Sequence, residues 1–78
     1  MTRLRLLPFR ELSKLVKYKG FAEIRCVGSH HTFRDQNGKT VVIPDHGSQV
    51  IVRPLLRKIL RDMEITVDEY NDWLDNNK

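Results

Sequence analysis

The chain has a single cysteine, Cys26, among its 78 residues. An intrachain disulfide is therefore impossible, and the cysteine-dense scaffold of small secreted domains is excluded. The apolar runs are too short for a secretory signal peptide or for a bilayer span, so we expect a cytoplasmic protein with no membrane segment. A chain of this length supports at most one domain with a modest core.

Acidic residues are scarce over most of the chain. Residues 1–61 hold 13 Lys/Arg and only 4 Asp/Glu, a net charge of +9, whereas residues 62–78 hold one Lys and 6 Asp/Glu, a net charge of −5. A cationic body suits a polyanion such as RNA, because each neutralised phosphate releases counterions. Charge alone fits a solvated surface without a partner equally well.

Local patterns predict six elements in the order helix, three strands, helix, helix. Apolar spacing begins a helix after Pro8 that Gly20 ends, and a second helix begins at Pro54. Alternating patterns predict strands over residues 21–27, 30–35 and 39–43, the last two joined by an Asn37-Gly38 turn. A capping-box pattern opens an acidic helix over about residues 66–76.

This order predicts one α+β domain over residues 1–78. Its three-stranded antiparallel sheet is covered on one face by two helices, and a short C-terminal helix follows. The same order is found in double-stranded-RNA-binding domains, although architecture alone does not fix function.

Strand alternation assigns side chains to the two faces of this sheet. It places Cys26 with Ile24 on one side of the first strand, and we expect Cys26 in the core. In the second strand it sends His30 to the open face and His31, with Phe33, towards the helices. The predicted role of His31 is therefore structural.

The other two histidines are candidates for chemistry. Imidazole can accept and donate a proton near neutral pH, so His30 could be a general acid/base or a surface group that only hydrogen-bonds phosphate. His46, in a polar loop, could assist or simply cap backbone groups. No metal site is expected, because His30 and His31 diverge and no Cys-x-x-Cys or His-Glu-x-x-His spacing occurs.

The candidate RNA contacts are a turn and a set of cations. Gly28 and Ser29 could bring backbone amides close to a phosphate, and Ser29 could also assist chemistry, or the pair could form only a turn. The cations lie beside the second hairpin and along the second helix: Arg34, Lys39, Arg53, Arg57 and Arg61. A-form RNA is read through phosphates and 2′-hydroxyls, which suits these residues. The helical stripe fits an acidic protein partner equally well.

Several segments together resemble the HicA family of bacterial toxins, also called YcfA-like mRNA interferases. The resemblance covers roughly residues 9–70. It is carried by Gly20-Phe21, by Gly28-Ser29-His30-His31-Thr32-Phe33, by Val42-Ile43-Pro44-Asp45-His46-Gly47 and by Leu56-Arg57-Lys58-Ile59-Leu60-Arg61. The chain departs from the family at Val52-Arg53-Pro54-Leu55, where Pro-Gly-Thr is frequent, and in its longer acidic tail.

The resemblance implies a double-stranded-RNA-binding-like fold and ribosome-independent cleavage of mRNA, with no cofactor. It also implies a HicB-like antitoxin that covers the active site, and it makes His30 the catalytic residue. Three hypotheses follow: an endoribonuclease toxin, a non-catalytic RNA-binding module of the same fold, and an adaptor that binds only protein.

Overall fold

The computed structural model describes residues 3–77. Its elements are, in chain order, α1 (Phe9–Tyr18), β1 (Ala22–Val27), β2 (His30–Arg34), β3 (Thr40–Pro44), α2 (Arg53–Asp62) and α3 (Val67–Asn76). The three strands form one antiparallel sheet in the order β1-β2-β3. The predicted α+β class and the predicted order of elements are confirmed.

Helix α1 begins and ends where the sequence signals stand. Pro8 occupies the N-cap position, and Leu15 and Val16 are buried on the inner face of the helix. Gly20 follows with a φ of +92°, a left-handed conformation that glycine adopts without steric cost. The amide of Phe21 then donates to the carbonyl of Val16, which satisfies an end-of-helix acceptor.

The hairpin between β2 and β3 is fixed by one aspartate. An Oδ1 oxygen of Asp35 accepts hydrogen bonds from the amides of Asn37 at 3.0 Å and Lys39 at 2.8 Å. Gly38 has a φ of +87°, which explains the predicted Asn-Gly turn. The turn sets the register that aligns β3 against β2.

The core lies between one face of the sheet and the helices. Phe33, Val41 and Ile43 from the sheet are each 1% exposed or less, and so are Leu56 and Ile59 from α2. Burying one such side chain contributes about 1.5–3 kcal/mol relative to leaving it in water. This inner face therefore supplies much of the stability and leaves the outer face free of helices.

Helix α3 is capped and tied to the N-terminal segment. The predicted capping box is confirmed, because the Thr66 hydroxyl accepts from the amide of Glu69 and the Glu69 carboxylate accepts from the amide of Thr66. Tyr70 is buried and its hydroxyl donates to the carbonyl of Arg5. The Arg5 guanidinium also pairs with Asp75 at 3.0 Å. These contacts fasten α3 to the chain preceding α1.

The environment of Tyr70 disfavours its ionised form. Burial raises the pKa of Tyr70 to about 12, and the positive charge of Arg5 opposes part of that shift. The neutral hydroxyl is the form that can donate to the Arg5 carbonyl. Tyr70 ionisation and folding are therefore linked.

The prediction that Cys26 lies in the core is wrong. A β-bulge between Glu23 and Arg25 interrupts the alternation of β1, so that Glu23 lies on the same face as Cys26. All six residues of this edge strand are exposed, Ile24 among them at 55%. Cys26 does lie on the helix side of the sheet, but at an open corner beside polar side chains rather than under a helix.

Candidate active site

His30 is the first residue of β2 and follows directly on the turn of Gly28 and Ser29. Gly28 has a φ of +60°, so the tight turn requires a left-handed backbone there. His30 pairs with Val27 of β1 and with Pro44 of β3. The His30 side chain is exposed and forms no hydrogen bond or ion pair with any residue between 3 and 77. Strand pairing therefore fixes the backbone of His30, and its imidazole remains accessible.

The loop after β3 is fastened to this turn. The amide of Asp45 donates to the carbonyl of Ser29 at 2.7 Å. The Asp45 carboxylate accepts from the amide of Gly47 at 3.0 Å, which orders the loop beyond it. His46 is exposed and lies two residues after Pro44, which pairs with His30. His30, Ser29 and the loop that carries His46 therefore lie at the same end of the sheet.

His31 points to the opposite face, as the alternation predicted. Its ring lies 4.3 Å from the ring of Phe9 in α1, centroid to centroid. Its Nδ1 lies 2.9 Å from an Oε1 oxygen of Glu23. Since a carboxylate only accepts, this nitrogen is the donor. The predicted placement of His31 on the helix side is confirmed, and the two adjacent histidines have opposite surroundings.

Arg25 is a neighbour of His30 on the open face that was not among the predicted RNA contacts. The register pairs Arg25 with Thr32, which lies two residues from His30 on the same side of β2. Arg34 shares that side, so two exposed guanidinium groups accompany His30. Counting outward from the two-residue turn, with Val27 opposite His30, was the signal that could have found Arg25.

The remaining predicted cations are placed elsewhere. Arg53 donates to the carbonyl of Leu4 at 3.2 Å, and Lys39 pairs with Glu64 at 2.9 Å. Arg57 and Arg61 are exposed on α2, which packs on the helix-covered side of the sheet. The helical stripe therefore lies on the other side of the sheet from His30.

Residues 9–65 match the family model of the HicA toxin of bacterial toxin–antitoxin systems. The chain belongs to the HicA toxin family. This HicA-family chain is thus a toxin whose partner is an antitoxin. None of the curated proteins matches it.

The HicA match includes α1, the sheet and α2, and with them His30, its turn and the loop that carries His46. It leaves out α3 and the N-terminal segment that α3 holds through Arg5 and Tyr70. The site geometry of this HicA toxin is therefore built within the matched body. The added elements support that body from the helix side.

Residues 3–77 of this HicA toxin carry neither a membrane-spanning helix nor a cluster of metal ligands. No helix there is long and apolar enough to cross a membrane. No three histidine, cysteine or acidic side chains in the same stretch are grouped so as to hold a metal ion. The divergence of His30 and His31 explains why adjacent histidines form no such group.

Proposed function

We propose that this HicA toxin is a ribosome-independent endoribonuclease that cleaves mRNA by metal-independent general acid/base catalysis, with His30 as the catalytic residue. The observation that supports the proposal most is the placement of His30. It is exposed, free of partners among the described residues and held between a tight turn and a paired strand. A general acid/base needs an accessible ring nitrogen, and sites carried on strands are positioned more precisely than sites on loops.

In the proposed reaction, His30 takes the proton of a ribose 2′-hydroxyl. The 2′-oxygen then attacks the adjacent phosphorus, and the bond from phosphorus to the 5′-oxygen breaks. A proton returns to the leaving 5′-oxygen from the protonated imidazole or from a second group. The products are a 2′,3′-cyclic phosphate and a 5′-hydroxyl. General acid/base catalysis of this kind contributes about 10²–10⁴-fold.

We propose that the second proton-transfer group belongs to the loop after β3 or to the turn before β2. His46 belongs to the segment anchored by the contact between Asp45 and Ser29. The Ser29 hydroxyl stands one residue before His30. We propose His46 as the assisting acid and Ser29 as a hydrogen-bond donor to the phosphate.

The open face supplies cations for the RNA backbone. Arg25 and Arg34 lie on the side of the sheet that carries His30, and the amide of Gly28 can approach a phosphate without a side chain in the way. Charge-assisted hydrogen bonds from guanidinium groups to phosphate are short and strong. We propose that these groups position the RNA strand across His30.

The proposed protein partner is a HicB-like antitoxin that covers this open face. Of the cations predicted as RNA contacts, Arg57 and Arg61 are exposed on the far side of the sheet, whereas Lys39 and Arg53 are engaged in intramolecular contacts. They suit either a more distant stretch of RNA or acidic side chains of the antitoxin. Because mRNA is the substrate, we propose that the toxin acts in the cytoplasm.

The test is cleavage of a defined mRNA by the purified toxin in the presence of EDTA. His30→Ala should lower the rate by at least about 100-fold while the protein stays folded by circular dichroism. His46→Ala should reduce the rate less, because it serves only one of the two proton transfers. Wild-type product ends should be 2′,3′-cyclic phosphate and 5′-hydroxyl.

Two outcomes would contradict the proposal. Cleavage by His30→Ala at the wild-type rate would exclude His30 as the catalytic residue. Salt-dependent RNA binding with full recovery of intact RNA would indicate the non-catalytic RNA-binding module instead.

A further inference from the structure

A second cluster of reactive side chains lies on the other side of the sheet from His30. The Sγ atom of Cys26 is 3.7 Å from Nε2 of His31, and Nδ1 of His31 is 2.9 Å from Oε1 of Glu23. Cys26 is exposed. A thiol, an imidazole and a carboxylate thus lie in a row in space, and the thiol is exposed to solvent.

The hydrogen bonds fix the proton positions in this cluster. The Glu23 carboxylate accepts from Nδ1–H of His31, so in the neutral ring Nε2 is an acceptor directed at the thiol. The Phe9 ring packs against the imidazole and holds its orientation. An Oδ2 oxygen of Asp45 lies 3.9 Å from Nε2 and would stabilise the imidazolium once it forms. Nucleophile, base and orienting carboxylate are the arrangement that activates a cysteine.

We propose that Cys26 is a site of S-thiolation by low-molecular-weight disulfides of the glutathione class. His31 accepts the thiol proton while Sγ attacks one sulfur of the disulfide. The Sγ–S bond forms, the disulfide bond breaks, and the departing thiolate takes the proton back from His31. The products are a mixed disulfide on Cys26 and one free small thiol, with no further oxidant required.

The thiol is also connected to the turn that presents His30. The carbonyl of Gly28 lies 3.4 Å from Cys26 Sγ and is an alternative acceptor to His31 for the single thiol proton, and the neighbouring carbonyl of Ser29 accepts from the amide of Asp45. A mixed disulfide removes the first contact and places a bulky anionic group at this corner. S-thiolation therefore lowers RNA cleavage, an effect that rests on the proposed function.

The site is tested by the rate at which oxidised glutathione modifies the whole protein, followed by intact mass. His31→Gln should slow the reaction roughly tenfold, through loss of the base. Glu23→Gln should slow it less, since a glutamine oxygen still accepts from Nδ1–H. The control is Glu64→Gln, which removes a carboxylate paired with Lys39 at the opposite end of the sheet, and it should react at the wild-type rate.

Folding of each variant is checked by circular dichroism, and wild type unfolded in urea gives the rate of an unassisted thiol. Faster modification of native than of unfolded wild type, with slowing in both cluster variants, supports the site. Equal rates in wild type, Glu23→Gln and Glu64→Gln would overturn it. Because Glu23→Gln keeps the hydrogen-bond acceptor, the test stands even where His31→Gln fails to fold.

The connection to the turn is tested separately by amide NMR. Modification should shift the amide signals of Gly28, Ser29 and His30 more than that of Lys39. Unmoved signals at the turn would overturn the connection whether or not the protein cleaves RNA. If it does, oxidised glutathione should lower cleavage by wild type, a thiol reductant should restore it, and Cys26→Ser should cleave in both conditions. A toxin that is modified as expected but never cleaves RNA contradicts the proposed function alone.

Discussion

His30 and His31 are neighbours in one strand, yet they have opposite environments. His30 faces solvent without a partner among residues 3–77, while His31 contacts an aromatic ring and a carboxylate on the helix side. The difference follows from the two-residue period of a strand, which sends adjacent side chains to opposite faces. It shows that residue type alone does not determine the surroundings of a histidine.

The same contrast holds for the whole sheet. The inner face carries Phe33, Val41 and Ile43, all fully buried, whereas the outer face carries cations and the partly exposed Val42. Substitutions on the inner face should therefore change stability, and those on the outer face should change RNA cleavage or binding. The predictions below test this division, beginning with the largest expected effect.

Phe33→Ala should lower the free energy of unfolding by about 3–5 kcal/mol, because it leaves a cavity under the helices. Arg34→Ala, at the next position on the outer face, should change it by no more than about 0.5 kcal/mol. Urea denaturation followed by circular dichroism measures both. Similar losses in the two variants would mean that the outer face is also covered.

The two histidines give a second comparison. His31→Ala should lower the free energy of unfolding by about 1–2 kcal/mol, through loss of the hydrogen bond to Glu23 and of the contact with Phe9. His30→Ala should leave it within about 0.5 kcal/mol of wild type, since the exposed side chain forms no hydrogen bond or ion pair with residues 3–77. Thermal unfolding decides the matter, and a less stable His30→Ala would show an unrecognised structural role.

Much of this division could be predicted from the sequence. The two-residue turn, the alternation in β2 and the Asn37-Gly38 hairpin sufficed to place His30 and His31 on opposite faces, because each is a local backbone preference. The order of the six elements followed from capping and apolar spacing in the same way. The catalytic assignment of His30 came from the family resemblance and stays a prediction.

The sequence predictions that failed depend on contacts between residues that are distant along the chain. The bulge at Ile24 changes the faces of β1, and no residue in that strand is a glycine that would signal one. The bulge moves Glu23 to the face of Cys26, whereas Cys26 and Arg25 keep the faces that alternation predicts. Cys26 is exposed because it lies on an edge strand whose residues are all exposed. Similarly, spacing alone could not show that Lys39 and Arg53 are engaged by Glu64 and by the Leu4 carbonyl.

Tyr70 is a titratable group on the helix side of the sheet. If the two sides differ as described, its ionisation should change stability and not RNA cleavage. Because its pKa rises from 10.0 to about 12 on folding, ionisation favours the unfolded chain. The stability that the neutral hydroxyl contributes is complete below pH 10 and is lost as the pH rises towards 12.

Tyr70→Phe removes this titration. At pH 7 it should cost about 1 kcal/mol through the lost hydrogen bond to the Arg5 carbonyl. Between pH 10 and 12 its free energy of unfolding should fall less steeply than that of wild type. Equal slopes in urea denaturation over this range would show that Tyr70 ionises as readily in the folded protein as in the unfolded chain.

The smallest expected effect concerns Arg25, which lies on the outer face but was not among the RNA contacts predicted from the sequence. If Arg25 contacts one phosphate, Arg25→Ala should weaken binding of a single-stranded RNA a few-fold at moderate salt. The slope of log K against log salt concentration should become shallower by about 0.7, the contribution of one released counterion from a single strand. Lys14→Ala removes an equal charge from α1, where Lys14 pairs with Glu11, and should leave the slope unchanged. Binding is best measured in the His30→Ala background, so that the RNA stays intact. An equal loss from both variants would mean that net charge, and not the face on which it lies, attracts the RNA.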